Sequence, residues 1–207
     1  IRRSPADVAI ELPDVVEFTL TAPMDNTQQT FYNEIMEAKQ EMMSKKQFIL
    51  DSKKLSDEEK MMEISLLNEK EKMYIATMQL ISDDPRAFAE LPKSQRTINT
   101  RIEKNVPKTY KGSPKTEMTI DKVEEIIAED EKVIIFTHLA SAAYLLKKEI
   151  EKNLKIKPAM YTGKESDDVR EKNISAFKNN DSCKVLIGTD AAAEGLNLQV
   201  AKYMIHY

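Results

Sequence analysis

The chain has 207 residues, 41% of them hydrophobic and 32% charged, a balance that fits a globular protein of one large domain or two small ones. Its net charge of −4 argues against a chain that coats nucleic acid by bulk electrostatics, while leaving local phosphate contacts open. Apolar runs such as Val133-Ile134-Ile135-Phe136 are too short to span a bilayer, and the single cysteine, Cys183, excludes an intrachain disulfide framework or a cysteine-rich zinc site. No secretory signal opens the sequence and residue 1 is Ile, so the expectation is a segment that begins inside a longer protein. The expected compartment is a reducing one, the cytoplasm, or the nucleus if the source is eukaryotic. The Lys-, Ile- and Asn-rich, Gly-poor composition hints at an AT-rich genome and a bacterial or phage-infected cell.

Residues 15–21 alternate well enough to predict a strand between Pro13 and Pro23. From Asn26 to Asp83 the sequence turns helical, with Met, Leu, Lys and Glu dominant and no Gly or Pro. Two helices are predicted, about 26–49 and 57–82, the second opened by Ser56 as N-cap with Glu59 three residues on. The methionines here (Met36, Met42, Met43, Met61, Met62, Met73, Met78) read first as packing residues on helix faces, with a Met-lined partner groove as the alternative. Residues 84–114, with Pro85, Pro92, Pro107, Gly112 and Pro114, read as short helices and loop. Between Arg86 and Lys115 there are eight basic residues (Arg86, Lys93, Arg96, Arg101, Lys104, Lys108, Lys111, Lys115) against Glu90 and Glu103, a segment that fits a solvated linker better than a phosphate-facing strip.

Beyond residue 119 helices and strands alternate. Helices are predicted over Asp121–Glu131, Ser141–Asn153 and Asp167–Lys178. Strands are predicted over Val133–Thr137, Pro158–Tyr161, Lys184–Gly188 and Tyr203–Tyr207. Strands separated by helices of this length imply an α/β fold, a parallel sheet with helices on its faces.

In such sheets ligands bind where loops leave the carboxyl ends of strands. Three of these loops are distinctive. Thr137-His138-Leu139-Ala140-Ser141 offers hydroxyls that suit a phosphate oxygen, although Thr137 and Ser141 are equally candidate N-caps. Tyr161-Thr162-Gly163-Lys164-Glu165-Ser166 resembles a phosphate-cradling loop but fails that motif: no Gly stands five residues before Gly163, and Glu follows Lys164. The run from Gly188-Thr189-Asp190 through three alanines to Glu194-Gly195-Leu196-Asn197 keeps side chains small enough for backbone to approach a ligand, and equally suits a tight strand–helix junction. His138 and His206 are the only histidines, so a metal site would need carboxylates, and Cys183 has no neighbouring base in sequence.

These residues resemble the second RecA-like lobe of superfamily 2 helicases, in the Swi/Snf-like branch. Gly188-Thr-Asp-Ala-Ala-Ala-Glu-Gly-Leu-Asn-Leu-Gln-Val-Ala201 is similar to motif V, and Val133–Thr137 to motif IV. Tyr161-x-Gly163, Arg170, Ile174 and Phe177 follow the family's Gly…Arg…Ile…Phe segment, and Ser113-Pro-Lys115 its Ser-x-Lys element. Arg2-Arg3-Ser4, Leu12-Pro13 and Gln28/Gln29…Tyr32 resemble the bridge between lobes. The implied division is 1–24 as bridge and first strand of lobe two, 25–112 as helical protrusion and linker, and 113–207 as a RecA-like lobe incomplete at its C-terminus.

The resemblance implies a motor that couples ATP hydrolysis to stepping along duplex DNA. Thr137, Gly163, Arg170 and Thr189 would then contact the phosphate backbone, and Glu194, Gly195 and Asn197 would face ATP. Helices 26–84 would brace DNA or contact partners, or are simply a packed pair. ATP and Mg2+ are expected in the intact protein, together with a first RecA-like lobe of the same chain as partner. The Walker elements and the motif VI arginine, which contributes about 10³–10⁵ in rate in related NTPases, are not in these residues, so no ATP hydrolysis is expected from them alone. The alternatives are a lobe of a strand-separating RNA or DNA helicase, which the Leu-Asn-Leu-Gln tail of motif V disfavours, and a non-catalytic RecA-like binding module.

Overall fold

Val133, Ile134 and Ile135 are each no more than 2% exposed, so this run is covered on both faces, as the central strand of a doubly covered sheet must be. The computed structural model describes residues 15–91, 106–189 and 198–207. In it β1 (Val133–Phe136) lies between β3 (Val185–Gly188) and β4 (Tyr203–His206), with β2 (Ala159–Tyr161) outside β3. All pairings are parallel and the order is β2-β3-β1-β4. The register sets Val133 opposite both Val185 and Tyr203, and Phe136 opposite both Gly188 and His206.

Period-two alternation distributes the strands' side chains between two cores. Val133, Ile135, Val185 and Ile187 pack on one face against Ile120, Val123 and Ile126 of α3 (Pro114–Ala128) and Ala143, Leu146 and Ile150 of α4 (Ala140–Asn153). Ile134, Leu186 and Ala159 pack on the other face against Ile174 and Phe177 of α5 (Asp167–Asn179). The α/β expectation is met, with parallel strands and helices on both faces.

Two long helices precede this lobe. α1 (Asn26–Asp51) opens with a capping box: Gln28 N donates to Asp25 Oδ1 at 2.8 Å and Asp25 N to Gln28 Oε1 at 3.3 Å. α2 (Asp57–Asp83) opens with the expected Ser56–Glu59 box. On α1 the buried residues Gln28, Phe31, Ile35, Met42 and Ile49 recur at steps of three, four and seven, the seam of an antiparallel helix pair about 40 Å long. A pair of helices buries only one stripe of each. Met42 is therefore inside at 7% exposure, while Met61 and Met62 stand out at 77% and 66% and Met43 is also exposed, contrary to their reading as packing residues.

The base of the pair docks on α4 through Phe88 of a short 3-10 turn (Pro85–Glu90), which packs with Phe31, Ile81 and Leu145. Beside this contact lies a polar hub. Asp84 is wholly buried and accepts from Arg86 Nη2 at 2.8 Å, Arg86 Nε at 3.0 Å, Ser113 N at 2.9 Å and Thr116 Oγ1 at 3.0 Å. Arg86 Nη1 reaches Glu149 of α4 at 2.9 Å. Gly112 lets this arginine pass: a Cβ there would stand 2.6 Å from Arg86 Nη2, and its φ of +156° is one that side-chain-bearing residues rarely adopt.

Three expectations change. Residues 15–21 form no strand, and Val15, Val16, Phe18 and Leu20 are exposed; alternation supplies a strand only where a ladder partner stands beside it, and here none does among the described residues. Helix α3 begins seven residues before Asp121, because Ser113 caps Thr116 N at 3.1 Å and Pro114 fits the first helical position. It ends at Ala128, short of Glu131, with Asp130 at φ +63° closing the turn. Of the eight basic residues expected in a solvated linker, Arg86 and Lys115 are ion-paired and Lys108 and Lys111 exposed; Lys93, Arg96, Arg101 and Lys104 lie outside the described residues.

Replacing Asp84 with Ala leaves the half-buried Arg86 guanidinium without its main counter-charge. The expected loss is about 3–5 kcal/mol, read as a lowered urea midpoint. Lys72→Ala, at an exposed pair with Glu69, serves as control and leaves the midpoint nearly unchanged.

Candidate nucleic-acid interface

The carboxyl ends of β2, β3 and β1 form one continuous row. Thr189 N, just past β3, donates to Tyr161 O at the end of β2 at 3.2 Å. Thr137 N, just past β1, donates to Gly188 O at the end of β3 at 2.9 Å. The sequence-predicted positions 137, 163 and 189 are thereby brought to one edge of the sheet, although 52 residues of chain separate the first from the last by their numbering.

Within the row the side chains differ. Thr137 is 2% exposed and its hydroxyl donates to Leu139 O at 3.1 Å, anchoring the turn into α4. Neither Thr137 nor Ser141 caps α4; Leu139 occupies the N-cap without a side-chain bond, and Ser141 lies buried in the first turn. The exposed residue at this strand end is His138. Thr189 is half-buried. Glu194, Gly195 and Asn197, together with Asp190 through Leu196, lie outside the described residues.

The loop after β2 is held by Glu165. Its carboxylate accepts from Thr162 N and Thr162 Oγ1, both at 2.7 Å, and from the Tyr144 hydroxyl. A Cβ on Gly163 would meet nothing within 4 Å, so neither packing nor a left-handed torsion accounts for glycine; its bare backbone is open to an approaching ligand. Arg170 donates from Nε to Glu165 O at 3.0 Å, pairs with Asp167 at 3.1 Å and lies over the Tyr161 ring at 5.6 Å. It thus stiffens the loop while keeping a quarter of its side chain in solvent. Lys164 lies 4.7 Å above the Tyr144 ring.

Sequence reasoning placed Ser113 and Lys115 but missed what they hold. Ser113 Oγ donates to Asp83 O at 2.5 Å, and Lys115 Nζ pairs with Asp83 at 2.5 Å and sits 4.4 Å over the Tyr207 ring. Burial pushes the Asp83 carboxyl up, opposed by Lys115. The Tyr207 hydroxyl lies 2.8 Å from Thr116 Oγ1, and burial raises its pKa. Apart from Arg86, two residues on, the partners of the Asp83-Asp84 pair lie about thirty residues downstream, beyond the reach of a local pattern. Burial also pushes the Cys183 thiol up, in keeping with an inert cysteine.

Glu165 makes the loop sensitive to acid. Burial raises its pKa, but the Tyr144 and Thr162 hydroxyls and the Thr162 amide outweigh burial and hold it below the ordinary glutamate value. The folded-state pKa therefore lies under the unfolded one, and the stabilisation, complete above the ordinary value, is lost as pH falls through the lowered one. Glu165→Gln is expected to melt below the parent at neutral pH, with the gap closing on acidification; a gap independent of pH removes the carboxylate from this role.

No curated protein matches the chain in sequence. Residues 118–207 match the helicase conserved C-terminal domain. Among solved structures, the C-terminal domain of a Sulfolobus solfataricus SWI2/SNF2 ATPase aligns with TM-score 0.58 and 22% identity over 89% of this chain and 68% of that one. The same organism's SWI2/SNF2 ATPase core in complex with dsDNA gives 0.59 and 22% over 89% of this chain and 33% of that core. The Pyrococcus furiosus Hef helicase domain gives 0.61 and 14% over 94% and 50%. At these identities the likeness is one of fold, and the chain spans only a third of the SWI2/SNF2 core. Residues 118–207 are thus similar to the helicase conserved C-terminal domain, and the chain shares the RecA-like α/β fold of these solved ATPase and helicase lobes.

Proposed function

We propose that this chain is the second motor lobe of an ATP-dependent DNA translocase or remodeller of Swi/Snf type. The observation that carries the reading is the hydrogen-bonded row of strand ends, where the loops bearing Thr137, Gly163 and Thr189 follow three adjacent parallel strands and Arg170, in the first turn of α5, braces the Gly163 loop. That row is where open α/β sheets take ligands, and its exposed Gly163 backbone, Thr189 and Arg170 suit phosphate oxygens rather than bases. Duplex DNA is the proposed ligand, in line with a fold relative solved with dsDNA. Glu194, Gly195 and Asn197 are proposed to face ATP across a cleft completed by a first RecA-like lobe.

When bound, ATP with Mg2+ supplies the phosphoryl chemistry, and the fit to this chain is partial. The four glycines, Gly112, Gly163, Gly188 and Gly195, include no two spaced five apart, so no Walker A loop lies in the sequence. Among the described residues no group of three or more His, Cys, Asp or Glu is placed to hold a metal. The proposal therefore puts the nucleotide's phosphates and Mg2+ with the first lobe, and gives this chain backbone grip and one wall of the cleft. A strand-separating helicase lobe is the second reading, favoured by the match to the Hef helicase domain. No described helix is long and apolar enough to cross a membrane. A cytoplasmic setting, or a nuclear one in a eukaryote, is proposed.

ATP turnover by the intact protein, without nucleic acid, with duplex DNA and with single-stranded RNA, separates the readings. Stimulation by duplex DNA is expected; stimulation by RNA alone promotes the strand-separating lobe, and no turnover under any condition leaves a binding module. The 207 residues alone are expected to show none. Thr189→Ala or Arg170→Ala in the intact protein is expected to weaken duplex binding. For Arg170→Ala the log–log salt slope should also become shallower by about 0.9, whereas the neutral Thr189 hydroxyl is expected to cost affinity with the slope unchanged. An unchanged slope for Arg170→Ala, or unchanged affinity for Thr189→Ala, takes that residue off the binding surface.

A further inference from the structure

The row of strand ends continues past β1 to β4, and there it opens into a cavity of about 410 Å³ between the lobe and the base of the helix pair. Helices α1 and α2 contribute Lys39, Tyr32, Met78 and Gln79; the lobe contributes Lys115, His138 and Tyr207. His138 stands two residues beyond β1, and Tyr207 directly follows β4. The volume falls within the roughly 300–1,000 Å³ of small-molecule sites.

Charge in this cavity is unbalanced. Asp83 is the carboxylate among its lining residues, and Lys115 Nζ already pairs with it at 2.5 Å. Lys39 is half-buried, and no hydrogen bond or ion pair ties it to another described residue. One cation therefore remains uncompensated, facing a second cation, an imidazole and the polar ends of Gln79 and Tyr207.

We propose that this cavity binds a phosphate ester, held by Lys39 from the helix pair and by Lys115 and His138 from the lobe. The inference rests on the motor-lobe reading where the ester is a backbone phosphodiester of duplex DNA; a free nucleotide presents the same chemistry. In either case the helix pair takes part in binding through its base. Thr137, whose hydroxyl faces inward, yields the contact at the β1 end to His138 beside it.

The test uses the full chain, a short fluorescein-labelled duplex titrated over a range of salt concentrations, and AMP titrated calorimetrically. Lys39→Gln and His138→Gln are compared with Lys157→Gln, which is exposed before β2 at the opposite end of the sheet. The expected result is a log–log salt slope shallower by about 0.9 for Lys39→Gln, weaker binding for His138→Gln and no change for Lys157→Gln. AMP heat abolished by Lys39→Gln, with duplex slopes unchanged, supports the site with a free nucleotide as its source. A chain that binds duplex with the parent slope in both variants and gives no AMP heat overturns the cavity and leaves the motor-lobe reading standing. A chain that binds no duplex at all sinks the proposed grip, and the cavity then stands or falls on the AMP titration.

Discussion

The arrangement of the molecule depends on the Asp84 carboxylate. It is fully buried, yet it bonds Arg86 through two nitrogens, the Ser113 amide and the Thr116 hydroxyl. A buried carboxylate left alone would cost several kcal/mol, so its lone pairs must be met by this set of groups in this geometry. Its partners come from separate parts of the chain. Arg86 belongs to the 3-10 turn after α2 and extends to Glu149 on α4, while Ser113 and Thr116 open α3. Gln28 adds a second tie, donating to Ile81 O at 2.6 Å and Ser82 O at 3.2 Å, so the start of α1 covers carbonyls at the end of α2. The helix pair is thus fixed to the lobe by satisfied polar groups as well as by Phe88, and such groups tolerate little change of angle.

The other constraint is the parallel sheet. Parallel strands bring every carboxyl end to the same side, and the two amide-to-carbonyl bonds from Thr189 and Thr137 align three of those ends. A rigid row results from Val and Ile packing alone, before any side chain at its edge is considered. What the edge presents is then set locally: Glu165 closes one loop, Arg170 braces it, and Leu139 takes the Thr137 hydroxyl.

Legibility in the sequence followed the range of the interaction. Helix α2 could be read because its cap, Ser56–Glu59, lies within three residues, α1 because helix-forming residues run on without Gly or Pro, and β1 because Val-Ile-Ile-Phe is apolar throughout. The early start of α3 was missed although Ser113-Pro114 carried a local capping signal, because the apolar pattern farther along drew the boundary. The strand expected at 15–21 failed for the opposite reason: its alternation is genuine, and pairing is a long-range matter. The family resemblance pointed to positions 137, 163, 170 and 189, which the sheet places beyond neighbouring strand ends, whereas the hub and the cavity carried no such signal. Asp84 meets Ser113 across 29 residues, and Lys39 faces a lobe that begins more than seventy residues later.

A chain of net charge −4 looks poorly suited to grip a polyanion, but net charge is the wrong measure at these distances. The Debye length near physiological salt is about 8 Å, so a phosphate at the strand ends responds to the cations beside it and little to acids on the far helices. Several remote lysines are ion-paired in place, Lys122 with Glu125, Lys147 with Glu151, Lys184 with Asp130 and Lys202 with Glu131. At the strand ends the pairing is less complete: Arg170 keeps only an exposed aspartate, Lys164 rests on an aromatic ring, and Lys39 has no counter-ion among the described residues. Local cations within overall acidity favour contacts at chosen points over adhesion along the whole surface, which suits the proposed role of gripping and releasing a phosphate backbone.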